Sequence, residues 1–116
     1  MNPKELSDRF LNFASLVLQL ESGLNKSHSS KHIFNQLVRS ATSCGTNYEE
    51  ARSAESKADF IHKLQIALKE LRESSFWIRL LLKTDYATSE KLNPILNETN
   101  ELISTLVQSI KTLKKK

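Results

Sequence analysis

Apolar residues recur along the chain at alternating steps of three and four positions, in four separate stretches. Because this spacing returns each residue to one face of an α-helix, it predicts amphipathic helices. The chain has only 2 Gly and 2 Pro in 116 residues, fewer turn residues than a strand-rich fold needs. We therefore predict an all-α fold with helices at about residues 3–21, 30–54, 57–84 and 90–113. Short connections favour an antiparallel up-and-down four-helix bundle, one domain over residues 1–116.

The start of the fourth helix is open to two interpretations. Either the helix begins at Ser89, with Pro94 in or just after its first turn, or Asn93 caps it and Pro94 takes the first helical position. Proline is tolerated at a helix start because its missing N–H is not needed there, whereas further along it kinks the helix.

The middle of the second predicted helix contains only small side chains, from Ser40 to Thr46. Such a segment is a mediocre helix former, but it lets neighbouring helices approach closely, which is the expected reason for Gly45. Cys44 lies on the packed side with no base near it, so we predict a small buried hydrophobe rather than a nucleophile. A lone cysteine forms no internal disulfide, and with no secretory signal it indicates a cytoplasmic protein.

The third predicted helix has a wider apolar surface than one face of a bundle needs. One stripe begins at Phe60, and a second begins beside it at Ile61. Phe76, Trp77 and Leu80 widen this surface further. Since aromatic residues are enriched at interface centres, we predict that these three contact other copies of the chain in a homo-oligomer, while also contributing to the core.

The net charge of +4 is concentrated at the C-terminus. Residues 1–110 contain 13 basic and 13 acidic residues, so the excess consists of Lys111 and the three lysines 114–116. A weaker basic region, residues 22–48, has no acid. The tail either caps the last helix and aids solubility or contacts phosphate, and no apolar anchor accompanies it for a membrane. The residues predicted to contact nucleic acid are Lys31, Arg39, Arg52, Lys111, Lys114, Lys115 and Lys116.

Two segments, Gln36 to Ala51 and Ser56 to Trp77, resemble the signature of the four-helix proteins encoded in 23S ribosomal-RNA intervening sequences. The resemblance extends over about residues 5–112, and Ala51 departs from it where many relatives have glycine. It implies a left-handed up-and-down bundle that forms a homopentamer, with structured nucleic acid as the expected ligand. A distant relative, the accessory protein of diversity-generating retroelements, is a basic pentameric barrel, whereas the body of this chain is neutral.

If the second and third helices form an antiparallel hairpin, residues whose numbers sum to about 110 lie opposite one another. This places Arg39 near position 71, within reach of Glu70 or Glu73, and Asn47 near position 63. An arginine held by carboxylates most often fixes the register of two helices, although a ligand contact stays open. The predicted structural polar residues are Arg39, Asn47, Glu50, Glu70 and Glu73.

No convergent catalytic or metal-binding set is visible. His28 and His32 share a helix face, and Asp59-x-x-His62 is half of a di-iron motif, but neither has the further ligands that a site needs. We therefore expect no metal, no cofactor, no small-molecule substrate and no enzymatic activity. No apolar stretch approaches the roughly 20 residues that span a bilayer, so a soluble protein is expected. The sequence favours a homo-oligomeric scaffold or weak binder of structured RNA or DNA. The alternative is a protein–protein interaction module with no nucleic-acid role.

Overall fold

The computed structural model describes all 116 residues, and they form four α-helices and one short 3₁₀ turn without any strand. The predictions of an all-α fold and of four helices are confirmed. None of the helices has a stretch both long and apolar enough to cross a membrane. The elements are α1 (Pro3–Gln19), the 3₁₀ turn (Leu20–Gly23), α2 (His28–Arg52), α3 (Lys57–Lys83) and α4 (Ser89–Lys115).

Each helix begins at a side chain that caps a free backbone N–H. Asn2 accepts a hydrogen bond from the Glu5 amide at 2.8 Å, and Ser56 accepts one from the Asp59 amide at 3.0 Å. Ser27 caps α2, so this helix begins at His28 and not at residue 30 as predicted. The sequence offers serines at positions 27, 29 and 30, all good caps, and spacing alone did not choose among them.

α4 begins at Ser89 after the Thr88 cap, with Pro94 inside the helix. Of the two starts left open by the sequence, the structure has the earlier one. The helix ends at Lys115, two residues beyond the predicted end. Three of the four C-terminal lysines are therefore fixed on a helix, and positive charge there is favoured by the negative end of the helix dipole.

The core lies along the long axis of a body measuring 47 × 20 × 20 Å. α2 and α3 share the most extensive contact, α3 also packs on α4, and α1 packs on α2. The side chains at the centre are fully buried leucine, phenylalanine and isoleucine, such as Phe13, Leu71 and Leu102. This packing is that of a helical bundle.

Two buried serines lie at a close contact between α2 and α3. Ser40 and Ser74 have no solvent exposure, and their hydroxyl oxygens lie 2.8 Å apart. Each hydroxyl also lies within hydrogen-bond distance of a carbonyl oxygen on its own helix, at Leu37 for Ser40 and Glu70 for Ser74. The small residues of α2 thus allow the close packing predicted for them.

Gly45 faces a different neighbour, α1. A methyl group added at Gly45 would lie 3.4 Å from the Cβ of Phe10 and 4.0 Å from its carbonyl oxygen. These are ordinary van der Waals distances, so α1 leaves room for a methyl group at Gly45, and the close packing expected at this glycine is not found.

One arginine of α1 pairs with two acids of α4. Nε of Arg9 donates to Glu98 at 2.9 Å, a second bond joins the same two side chains, and Nη2 reaches Glu101 at 2.8 Å. The hydrogen bond with Glu98 raises the pKa of Arg9. α1 and α4 are in less extensive contact than α1 and α2 or α3 and α4, and this ion pair bridges the two helices.

The serine contact yields a stability prediction. Ser40→Ala should lower the free energy of unfolding by less than about 1 kcal/mol, because Ser74 keeps its bond to the Glu70 carbonyl. Ser40→Leu should cost about 1–3 kcal/mol, because the closely packed helices must move apart. Urea unfolding measures both, with Thr46→Leu as the control on an exposed position of the same helix. Equal losses from leucine at positions 40 and 46 would contradict the close approach.

Candidate functional surfaces

The C-terminal lysines form an exposed cluster at one end of the bundle. Lys111, Lys114 and Lys115 fall on one side of α4, Lys116 follows, and none of them makes an ion pair. The nearest preceding acid in the sequence is Glu101, whose carboxylate pairs with Arg9. These four lysines are therefore not held in ion pairs by the bundle.

The other residues predicted to contact nucleic acid do not all lie beside this cluster. A groove shared by Tyr48, Phe60 and Leu113 shows that the end of α4 lies next to the end of α2. Arg52 is therefore at the lysine end, with its guanidinium 3.8 Å from the Glu49 carboxylate. Lys31 is exposed and unpaired near the other end of α2, about 32 Å away at 1.5 Å per residue.

Arg39 is held by acids of α3. Its Nη1 donates to Glu70 at 3.2 Å, and its Nη2 pairs with Glu73. Nε of Arg39 also donates to the Gln36 side chain at 3.4 Å. The Glu73 carboxylate accepts a further hydrogen bond from Nε1 of Trp77 at 3.0 Å. The structure brings Arg39, Glu70 and Glu73 together, so the guanidinium is occupied within the bundle.

The remaining predicted polar residues separate. Glu50 accepts a hydrogen bond from Nζ of Lys63 at 2.9 Å, which is the main cause of a raised Lys63 pKa. Asn47 turns back on its own helix, donating to the carbonyl oxygen of Ser43 at 2.9 Å. Lys63 therefore faces Glu50 and not Asn47. The hairpin estimate was wrong by three residues at this position.

The three residues predicted to form an oligomer interface differ in exposure. Trp77 and Leu80 are partly buried and pack against the core, whereas Phe76 is 50% exposed. The Phe76 and Trp77 rings meet edge to face at 5.1 Å, and His32 meets Trp77 at 6.4 Å. Of the three, only Phe76 offers a large free apolar surface.

α1 has an exposed apolar surface that was not predicted from the sequence. Leu11 is 71% exposed and Leu18 51% exposed. They are seven positions apart, the repeat of a helix–helix seam. The apolar pattern of α1 was assigned to the core, because the helix has a complete core-facing stripe besides these two leucines.

The outward face of α3 is a second surface that was not predicted from the sequence. Five exposed residues follow one another there at helical spacing, four of them basic and none acidic. Their spacing of three and four positions places them on one face of the helix, and this is visible in the sequence. A count of charges along the chain does not reveal it, because acids on the other faces of α3 cancel these cations in the sum. We call this line the α3 stripe, and its residues are Lys69, Arg72, Phe76, Arg79 and Lys83.

The metal and catalytic candidates stay apart. No three His, Cys, Asp or Glu side chains are close enough together to hold a metal ion. The groove of about 710 Å³ between the start of α1 and the end of α4 is lined by apolar side chains, by hydroxyls such as those of Ser104 and Thr112, and by the Gln108 amide. It includes no carboxylate, imidazole or thiol.

Cys44 is fully buried. Burial raises the pKa of its thiol to about 12, and the sulfur donates to the Ala41 carbonyl at 3.0 Å. Since the thiolate is the nucleophilic form, the thiol is suppressed as a nucleophile at neutral pH.

Four packed helices with basic outer surfaces define a small helical-bundle protein, and comparison identifies its family. Residues 5–108 match the family described as 23S rRNA-intervening sequence protein, so the chain belongs to this family, as its sequence signature predicted. It is also 39% identical to a crystal structure from Bacteroides thetaiotaomicron VPI-5482, described as a protein with unknown function from the S23 ribosomal protein family. That similarity covers 96% of this chain and 99% of the other, with a TM-score of 0.87. No curated protein matches the chain.

The buried thiol yields a pH prediction. Above pH 9 the unfolded chain loses the Cys44 proton while the folded chain keeps it up to about pH 12. The free energy of unfolding should therefore fall between these pH values, by up to about 1.4 kcal/mol per pH unit. Urea unfolding measures this at pH 8 and pH 10. Between these pH values the free energy of unfolding of the unmodified chain should fall by about 1 kcal/mol more than that of Cys44→Ala. An identical decrease in both proteins would contradict this assignment.

Proposed function

We propose that this chain is a non-enzymatic, homo-oligomeric four-helix bundle that binds structured RNA or DNA through phosphate contacts. The observation that carries the nucleic-acid part is the exposed, unpaired lysine cluster at the end of α4. Helical lysines are held at fixed spacing, so several can meet successive phosphates together. Contacts to phosphates supply affinity without reading base sequence.

We propose an antiparallel up-and-down topology for the bundle. Two contacts between α2 and α3 support it: Arg39 pairs with Glu73, and Glu50 pairs with Lys63. Residue numbers therefore rise along α2 while those of their partners fall along α3, as in antiparallel helices. In this arrangement the end of α4 lies beside the start of α1, in agreement with the groove that both helices line. The lysines then extend from one end of the bundle.

Self-association is supported by apolar residues left uncovered by the single chain. Leu11 and Leu18 are better candidates for a contact between copies than the three residues predicted from the sequence, because two of those three, Trp77 and Leu80, already pack against the core. For the number of copies we keep the five implied by the family resemblance. Five copies would concentrate about twenty C-terminal lysines, and multivalency would add their weak contacts.

The nucleic-acid proposal predicts a strong dependence on salt. Lys114→Gln/Lys115→Gln should weaken binding to an RNA hairpin and reduce the slope of log K against log salt by about 1.8. Fluorescence anisotropy at several salt concentrations measures this. Lys26→Gln/Lys91→Gln removes the same charge at other exposed, unpaired sites and should change the slope much less. Absence of binding by the unmodified chain at low salt would refute the proposal and favour the protein-interaction module.

The self-association proposal predicts a mass in solution several times that of the 13.2 kDa chain. Leu11→Ser/Leu18→Ser should lower this mass, because polar side chains weaken apolar contact between helices. Light scattering measures it, with Phe76→Ser as the comparison at the interface predicted from the sequence. A monomeric unmodified chain would exclude self-association, and a loss of mass only in Phe76→Ser would move the interface to α3.

A further inference from the structure

The α3 stripe gives the bundle a second basic surface, independent of the C-terminal lysines. It extends from Lys69 to Lys83, about 21 Å along the helix at 1.5 Å per residue. All five of its residues are exposed. At about 3.4 Å per stacked nucleotide, this length corresponds to roughly six nucleotides of one strand.

The charges of the stripe are free to meet a ligand. None of its four basic residues belongs to an ion pair. The nearest acids of the same helix, Glu70 and Glu73, are directed to Arg39 on α2. Nε of Arg79 donates to the carbonyl and hydroxyl oxygens of Ser75 at 3.2 and 3.3 Å, which orients its side chain along α3. The four cations of the stripe are therefore not held in ion pairs within the bundle.

Phe76 adds a stacking surface at the centre of these cations. Its ring rests edge to face on Trp77, and the Trp77 indole is held by the Glu73 carboxylate. Half of Phe76 nevertheless stays exposed. A supported aromatic ring among basic residues is the combination by which proteins hold single strands, with phosphates on cations and bases on aromatic faces.

We propose that the α3 stripe binds a single-stranded segment of nucleic acid, with an unpaired base stacked on Phe76 and phosphates on Lys69, Arg72, Arg79 and Lys83. This inference rests on the proposed function and specifies the form of nucleic acid that this part of the surface takes. A duplex keeps its bases paired and stacked internally, so it can use the cations but not the ring. A two-fold contact between stripes of two copies is disfavoured, because it would bring eight positive charges together.

The decisive experiment compares a 12-nucleotide single strand, as RNA and as DNA, with the corresponding duplexes. Phe76→Leu should weaken single-strand binding about 5- to 150-fold, the effect of losing one stacked base, and leave duplex binding nearly unchanged. Arg72→Gln/Arg79→Gln should lower the single-strand salt slope by about 1.4. Lys57→Gln/Lys91→Gln removes the same charge elsewhere on the surface and is the matched control. All these positions except Phe76 are exposed polar sites, so the folds should persist.

The single tryptophan supplies a readout specific to the stripe. Trp77 touches Phe76, so a base on Phe76 should change its fluorescence, whereas a strand held only by the C-terminal lysines should not. The expected result is a fluorescence change with single strands that is lost in Arg72→Gln/Arg79→Gln.

The outcomes separate this inference from the proposed function. Unaltered single-strand binding by the stripe variants, with loss in Lys114→Gln/Lys115→Gln, would overturn the stripe and retain the function. Absence of all nucleic-acid binding by the unmodified chain would overturn both. A change of mass in Phe76→Leu without a change of binding would also overturn the stripe, because Phe76 would then belong to a contact between copies.

Discussion

The arrangement of the bundle depends on how closely α2 and α3 approach at Ser40 and Ser74. Two hydroxyl oxygens 2.8 Å apart require side chains with a single heavy atom beyond Cβ. Larger residues at these two positions would separate the helices. The approach also fixes the register of the two helices, because each hydroxyl is tied to its own backbone. The small residues therefore determine which charged residues of α2 and α3 can form ion pairs nearer the surface.

The distribution of surface charge follows from that register. It brings Glu70 and Glu73 to Arg39, so two acids of α3 are used between the helices. Lys69 and Arg72 each precede one of these acids by a single residue, which on a helix is a rotation of about 100°. The basic residues therefore face outward where the acids face α2. Helical geometry separates charges that alternate closely in the sequence.

Sequence reasoning succeeded where local spacing determines the outcome. Periodicity located all four helices, and hairpin arithmetic located Arg39 beside its acids, since these depend on residues near in sequence or across one turn. It missed the start of α2 because neighbouring serines compete as caps. It misplaced Asn47, whose amide found a nearer partner at Ser43. The α3 stripe went unnoticed because it requires knowing which face of α3 is covered, a property of packing and not of composition.

A neutral body is thus compatible with a basic binding surface. Seven of the 13 acids are in ion pairs, against five of the 17 basic residues, because two arginines each hold two acids. Within residues 1–110 the unpaired remainder is eight basic and six acidic residues, and four of those eight cations lie on the α3 stripe. Nucleic acid senses local charge within about a Debye length, near 10 Å. The total charge of the body is therefore a poor argument against binding, and the location of unpaired charge is the relevant quantity.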